Sequence, residues 1–148
     1  MVISEQGLIL IKHYEGLRLN RYRCPSGFWT IGYGHLWKEG EPLSITVEQA
    51  NIYLSKIDIA NSIDAVNGLI HVPLTQGQFD ALVSFVFNLG YGNLHYSTLR
   101  MKLNREEYLD AALEFPRWCK SNGYTLKGLL RRRYSEQILF LAGSLCLV

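Results

Sequence analysis

The stretch Tyr14–Leu36 reads YEGLRLNRYRCPSGFWTIGYGHL, and the pattern of the chain changes within it. Ahead of it, Ile3, Leu8, Ile11 and Tyr14 fall near helical spacing, after Ser4 as a candidate N-cap. Past Glu15 that period is lost. Leu17, Leu19, Tyr22, Phe28, Trp29, Ile31 and Tyr33, punctuated by Pro25, Ser26, Gly27, Gly32 and Gly34, predict short strands joined by turns. A helix therefore hands over to a small sheet at Glu15. Eight residues separate Glu15 from Cys24 and five separate Cys24 from Thr30, which sets an acid, a thiol and a hydroxyl around that sheet.

The rest of the chain reads as helical. Thr46 with Gln49 is a capping-box pattern, and Ile52, Ile59, Ile63 and Val66 continue as an apolar stripe toward Gly68, which is expected to end it. Thr75 with Gln78 repeats the box ahead of FDALVSFVFNLG, apolar enough all round to be the central buried helix. Further helices are predicted at about 97–103, 106–115 and 126–141. The order predicts an α+β fold: one domain over 1–148, with a sheet-bearing lobe near 1–65, a helical lobe near 66–148, and a ligand cleft expected between them.

A chain of 148 residues holds one hydrophobic core. Apolar residues at 48% and charged residues at 19% exclude a disordered chain. The net charge of +2 is too small to argue for a nucleic-acid binder, but the bases cluster at Arg18, Arg21 and Arg23 and again at Arg131, Arg132 and Arg133, which suits an anionic polymer. Three cysteines (Cys24, Cys119 and Cys146) lack metal-ligand spacing and allow at most one internal disulfide. The apolar run Leu8–Ile11 and the tail LFLAGSLCLV are each too short to span a membrane. The tail is expected to complete a packed helix, and the N-terminus lacks a basic leader and cleavage site.

Each candidate group has a plainer reading beside the chemical one. A glutamate at a helix end is most often a solvated charge. A carboxyl enclosed by aromatic side chains, by contrast, keeps its proton toward neutral pH, as a general acid must. Cys24 reads either as a small buried hydrophobe or, with three arginines nearby in sequence, as a thiolate. Thr30 is a good strand residue whose hydroxyl is also placed to hold a water beside Cys24. His35 invites a Cys–His pair, although a satisfied structural imidazole is the simpler reading. Gly32 and Gly34 lack the full Gly-x-Gly-x-x-Gly phosphate-loop pattern.

Glu15, Cys24 and Thr30 followed by TIGYGHL resemble the Glu-x8-Asp/Cys-x5-Thr arrangement of the phage-type lysozymes, glycoside hydrolase family 24. The resemblance extends over LTQGQFDALVSFVFNLG as the central helix, STLRMKLN as the next, and RWCKSNGYTLKGLLRRRYSEQILFLAG as a C-terminal hairpin. It implies a lysozyme-like endolysin that cleaves the β-1,4 bond between N-acetylmuramic acid and N-acetylglucosamine in peptidoglycan. Glu15 would be the general acid, and Thr30 would position the attacking water with the help of position 24. Arg132 would hold Glu15, and Leu36, Phe87, Asn88 and Thr98 would line the sugar site.

The family more often carries aspartate where this chain has Cys24, and a free thiol, with a pKa of about 8.5, is only slightly ionised at neutral pH. Cys24 is left as a thiolate base, a covalent nucleophile or a neutral group that orders water. The resemblance implies no cofactor or metal, no nucleic-acid partner and no stable membrane insertion. It also implies a monomer held in the host cytoplasm until a holin-type pore releases it to the periplasm or wall. Two rival readings remain: a cysteine peptidase using Cys24 with His35 or His13, and an inactive wall-binding module.

Overall fold

The structure, a computed structural model, describes residues 1–142. Helix α1 spans Glu5–Glu15. It opens on Ser4, whose hydroxyl accepts from the Gly7 amide at 3.3 Å. It closes at Gly16, whose positive φ of 71° turns the chain out of the helix while its amide still bonds the Lys12 carbonyl at 3.1 Å. A side chain at position 16 would resist that turn, so the glycine fixes Glu15 as the last helical residue.

Three antiparallel strands follow in the spatial order β1 (Arg18–Arg23), β2 (Trp29–Gly32), β3 (His35–Leu36). Register pairs Tyr22 with Thr30 and Thr30 with Leu36, and it pairs Arg23 with Trp29 and Ile31 with His35. Side chains alternate across a sheet, so Tyr22, Thr30 and Leu36 share one face while Arg23, Trp29, Ile31 and His35 share the other. The second face is covered where Ile31 packs with Ile45 and Ala50, under Tyr33, Trp37 and Tyr53.

The Thr46 capping box forms as expected and starts α2 (Val47–Ile52). The stripe expected to run on toward Gly68 is instead broken by a π-helical turn over Tyr53–Asp58, before α3 (Ala60–Leu69). Gly68 does not end α3. The Ile70 amide still bonds the Val66 carbonyl at 3.0 Å and the Ile70 side chain is buried, so packing carries the turn past the glycine.

The second capping box, on Thr75, starts α4 (Gln76–Leu89), which is buried continuously from Gln78 to Val86. Helices α5 (Tyr91–His95), α6 (Thr98–Asn104) and α7 (Tyr108–Ala112) follow. The helix expected from residue 106 is delayed because Glu106 adopts a φ of +61°, and its far end becomes a 3₁₀ turn at Phe115–Arg117 containing Pro116. A two-stranded hairpin, β4 (Lys120–Ser121) with β5 (Tyr124–Thr125), leads into α8 (Lys127–Ala142). Phe85 meets Phe115 and Trp118 edge-on at 5.7 and 5.5 Å, and Phe115 packs on Phe140 of α8 at 5.5 Å.

The described residues form two compact units, one from Met1–Leu10 with residues 62–142, the other Ile11–Asn61. The first ten residues thus group with the helical unit. Cys119 is buried. A Cys119–Cys146 bond and the packed tail after Ala142 concern positions outside the described residues.

Candidate functional site

Within the sheet-bearing unit, the Gly16 turn leaves Glu15 half-buried at the end of α1. The β2–β3 turn comes up against it. A Cβ added to Gly34 would lie 3.5 Å from Glu15 Oε2, and Gly34 holds a φ of +90°. Any other residue there would be strained by that φ, while its Cβ would meet the carboxylate only at ordinary van der Waals distance. The second glycine of TIGYGH therefore serves as close backbone support for the acid rather than as a phosphate loop.

Thr30 and Leu36 are cross-strand partners, and Cys24 begins the loop that leads into β2. Thr30 is buried beside its two cross-strand partners, and Leu36 is exposed on that face. The chain between Cys24 and Phe28 forms a tight loop, with the Cys24 amide on the Phe28 carbonyl at 3.0 Å and the Gly27 amide on the Cys24 carbonyl at 2.8 Å. This loop brings Cys24 Sγ and Ser26 Oγ to 2.7 Å.

The Ser26 hydroxyl is the main influence pulling the Cys24 thiol down to about 7. Burial, the next largest influence, pushes the other way, and the Thr30 hydroxyl and the Phe28 and Ser26 backbone assist the lowering. The three neighbouring arginines do not enter. Arg18 lies over the Tyr22 ring at 4.7 Å, and Arg21 and Arg23 lie over Trp29 at 4.0 and 4.9 Å. The lowering thus has a different cause from the arginines considered in the sequence. Ser26 was not singled out in the sequence, where Cys-Pro-Ser-Gly as a turn was the available signal.

A lowered thiol pKa means the charged, nucleophilic form persists to lower pH, so alkylation of Cys24 by iodoacetamide should rise with pH and level off above about 7. Mass analysis of the Cys24 peptide reads this separately from the buried Cys119. A midpoint near the ordinary value of about 8.5 would contradict it.

His35 is unavailable to Cys24. It lies on the opposite sheet face, buried, with Nδ1 2.8 Å from Asp58 Oδ1 and Nε2 2.9 Å from Glu41 Oε2. The π turn makes this possible: its i→i+5 spacing puts Tyr53 and Asp58 on one side, so that the Tyr53 ring stacks on the imidazole at 4.3 Å while Asp58 bonds it. Burial pushes Glu41 upward, but bonds from His35 and the Lys38 amide outweigh it and hold the carboxyl below its ordinary value. Asp58 is held above its ordinary value by burial, against the pull of His35. His13 is exposed and meets Tyr14 edge-on at 4.8 Å.

The remaining candidates lie in the helical unit. Phe87 and Asn88 are half-buried near the end of α4, and Thr98 is exposed at the first position of α6. Arg132 is buried on α8. Asn88 and Arg132 share one network, which the sequence did not disclose. Arg133 Nη2 donates to Asn88 Oδ1 at 2.9 Å and to Glu136 Oε1 at 3.0 Å. Arg132 reaches the same Glu136 Oε1 at 3.4 Å, and Ser84 donates to it at 2.7 Å. Burial pushes the Glu136 carboxyl up and the Arg133 guanidinium down, so both shifts record the cost of enclosing charge.

The sequence model of the phage lysozyme family matches residues 12–136. An endolysin of Acyrthosiphon pisum secondary endosymbiont phage 1 is 49% identical over 144 residues, covering 95% of this chain and 98% of that one. An endolysin of Bacillus phage B103 is 43% identical over 97% of this chain, which spans about half (55%) of that relative's length. Among solved structures, the muramidase domain of SpmX from Asticaccaulis excentricus superposes with a TM-score of 0.86 at 43% identity, covering 94% of this chain and 97% of that one. The architecture is that of the lysozyme-like α+β proteins. The chain belongs to the phage lysozyme family.

Proposed function

We infer that this chain is an endolysin, a glycoside hydrolase of the muramidase type. It cleaves the β-1,4 bond between N-acetylmuramic acid and N-acetylglucosamine in peptidoglycan and so lyses the host. The observation that carries the reading is the arrangement of the sheet-bearing unit. Glu15 lies against the Gly34 turn, Cys24 meets the Ser26 hydroxyl at 2.7 Å in the loop ahead of β2, and Thr30 on β2 donates to the Phe28 carbonyl of that loop at 3.3 Å.

In this reading Glu15 protonates the glycosidic oxygen as the bond breaks, and Thr30 with Cys24 orders the water that attacks the opposite side of the sugar. The hydroxyl contact that lowers the Cys24 thiol to about 7 favours its ionised form, which accepts the proton the water gives up. Leu36 supplies apolar contact to the sugar from the same sheet face, and Phe87, Asn88, Thr98 and Arg132 are proposed to contribute to substrate binding. Delivery from the host cytoplasm through a holin-type pore, and action as a monomer, complete the proposal.

Product analysis tests it. Purified peptidoglycan treated with the enzyme should yield new reducing sugar ends and no new free amines. Cys24→Asp should retain activity within about tenfold, while Cys24→Ser, which cannot ionise in this range, should lose about 10²–10⁴-fold. Free amines would favour a peptidase instead, and equal activity of the serine variant would reduce Cys24 to a group that only orders water.

A further inference from the structure

The sheet face turned away from Thr30 carries a feature that hydrolysis does not use. Arg21 lies between two indoles, its guanidinium carbon 4.0 Å from the Trp29 ring centre and 4.4 Å from that of Trp37. Arg23 lies over Trp29 at 4.9 Å. The stack is held from behind. The Trp37 amide bonds the Trp29 carbonyl at 2.9 Å, the Trp37 indole N–H donates to the Glu41 and Pro42 carbonyls at 3.2 and 3.0 Å, and the Arg21 amide bonds the Leu43 carbonyl at 3.0 Å.

Among the described residues, neither Arg21 nor Arg23 has a carboxylate within ion-pairing distance. Stacking occupies the flat face of a guanidinium and leaves its N–H donors at the rim, in the fork that matches an oxyanion. Arg21 and Arg23 are alternate residues of β1, and both guanidiniums lie against the Trp29 ring.

We propose that this row is a second wall-binding surface, which grips the stem-peptide carboxylates of a peptidoglycan strand other than the one being cut. The proposal rests on the muramidase reading for the identity of the polymer. Charge complementarity selects the partner: Arg21, partly exposed, and Arg23, exposed, are ring-held cations without acids of their own, and stem peptides carry free carboxylates along an insoluble mesh. A lipid surface fits less well. Docking into acyl chains requires free apolar faces, whereas here the Trp29 and Trp37 rings are covered by guanidinium groups. Holding a neighbouring strand raises the local concentration of cleavable bonds around the active site.

The test measures co-sedimentation of the full chain with purified peptidoglycan sacculi, in the Glu15→Gln background so that the polymer is not consumed. Arg21→Gln with Arg23→Gln should weaken binding by at least about tenfold, and capping the sacculus carboxylates as amides should weaken the unmutated surface equally. The two treatments together should add nothing beyond either alone, because they remove the same contact. In the active enzyme the arginine pair should raise KM on suspended sacculi and leave kcat unchanged.

Amidation needs no substitution, so it decides the matter even if the double variant folds poorly. Full binding to amidated sacculi, or a loss confined to phosphatidylglycerol vesicles, would overturn the proposal. Reducing-end release is read separately, so a failure of the muramidase reading is not mistaken for a failure of this surface.

Discussion

Replacing Glu15 by glutamine is expected to lower reducing-end release from peptidoglycan by about 10²–10⁴-fold while the fold persists. Glutamine keeps the size of the side chain and its oxygen beside Gly34, where a Cβ would stand 3.5 Å from Oε2, so the local packing is preserved. It removes only the proton that the leaving oxygen needs. Turbidity loss of outer-membrane-permeabilised Gram-negative cells gives the activity, and circular dichroism with a melting curve gives the fold. Wild-type lysis by a folded Glu15→Gln variant would remove Glu15 from the mechanism and leave the Cys24 loop without its acid. The comparison with Cys24→Ser is informative because the two losses have different chemistry: one abolishes protonation of the sugar oxygen, the other abolishes a group that titrates near pH 7.

The second large effect concerns stability. Glu136→Gln should destabilise the protein by about 3–5 kcal/mol, because it removes the only negative partner of a fully buried arginine among the described residues. Arg133 Nε lies 2.8 Å from Glu136 Oε2, and without that charge its neighbours include the neutral Asn88 and the Phe85 ring, whose centre is 5.3 Å away. Arg132, close by on α8, already disfavours the Arg133 charge, and losing the carboxylate exposes that repulsion. Urea unfolding measures the loss directly, and a melting shift of about 6 °C or more would accompany it. A loss under about 1 kcal/mol, the range of a surface pair, would mean that water reaches the cluster and that it is not enclosed as described. A partly unfolded Glu136→Gln protein would also lose activity, so its lysis must be normalised to the folded fraction.

Local chemistry alone determined a good part of this protein. Both capping boxes form where Thr46 and Gln49, and Thr75 and Gln78, stand three residues apart, because each needs only its own turn of backbone. The change from helix to sheet at Glu15 was likewise readable, since Gly16 and the loss of helical period are sequence-local. The motif that runs from Glu15 through Leu36 could therefore be placed on a helix end and a small sheet before any coordinates.

Tertiary structure decided what depends on residues meeting from a distance. The π turn at Tyr53–Asp58 stands where an uninterrupted helical stripe was expected, and it brings Asp58 onto His35 from 23 positions away. The arginines nearest Cys24 in sequence stack on aromatic rings, while a serine two residues on lowers the thiol pKa. Glu136, unremarked in the sequence, balances two arginines because α4 and α8 pack together and exclude water. Hydrogen bonds that close within one turn are written in adjacent residues. Burial, and the charge pairing it compels, are properties of the whole packed chain.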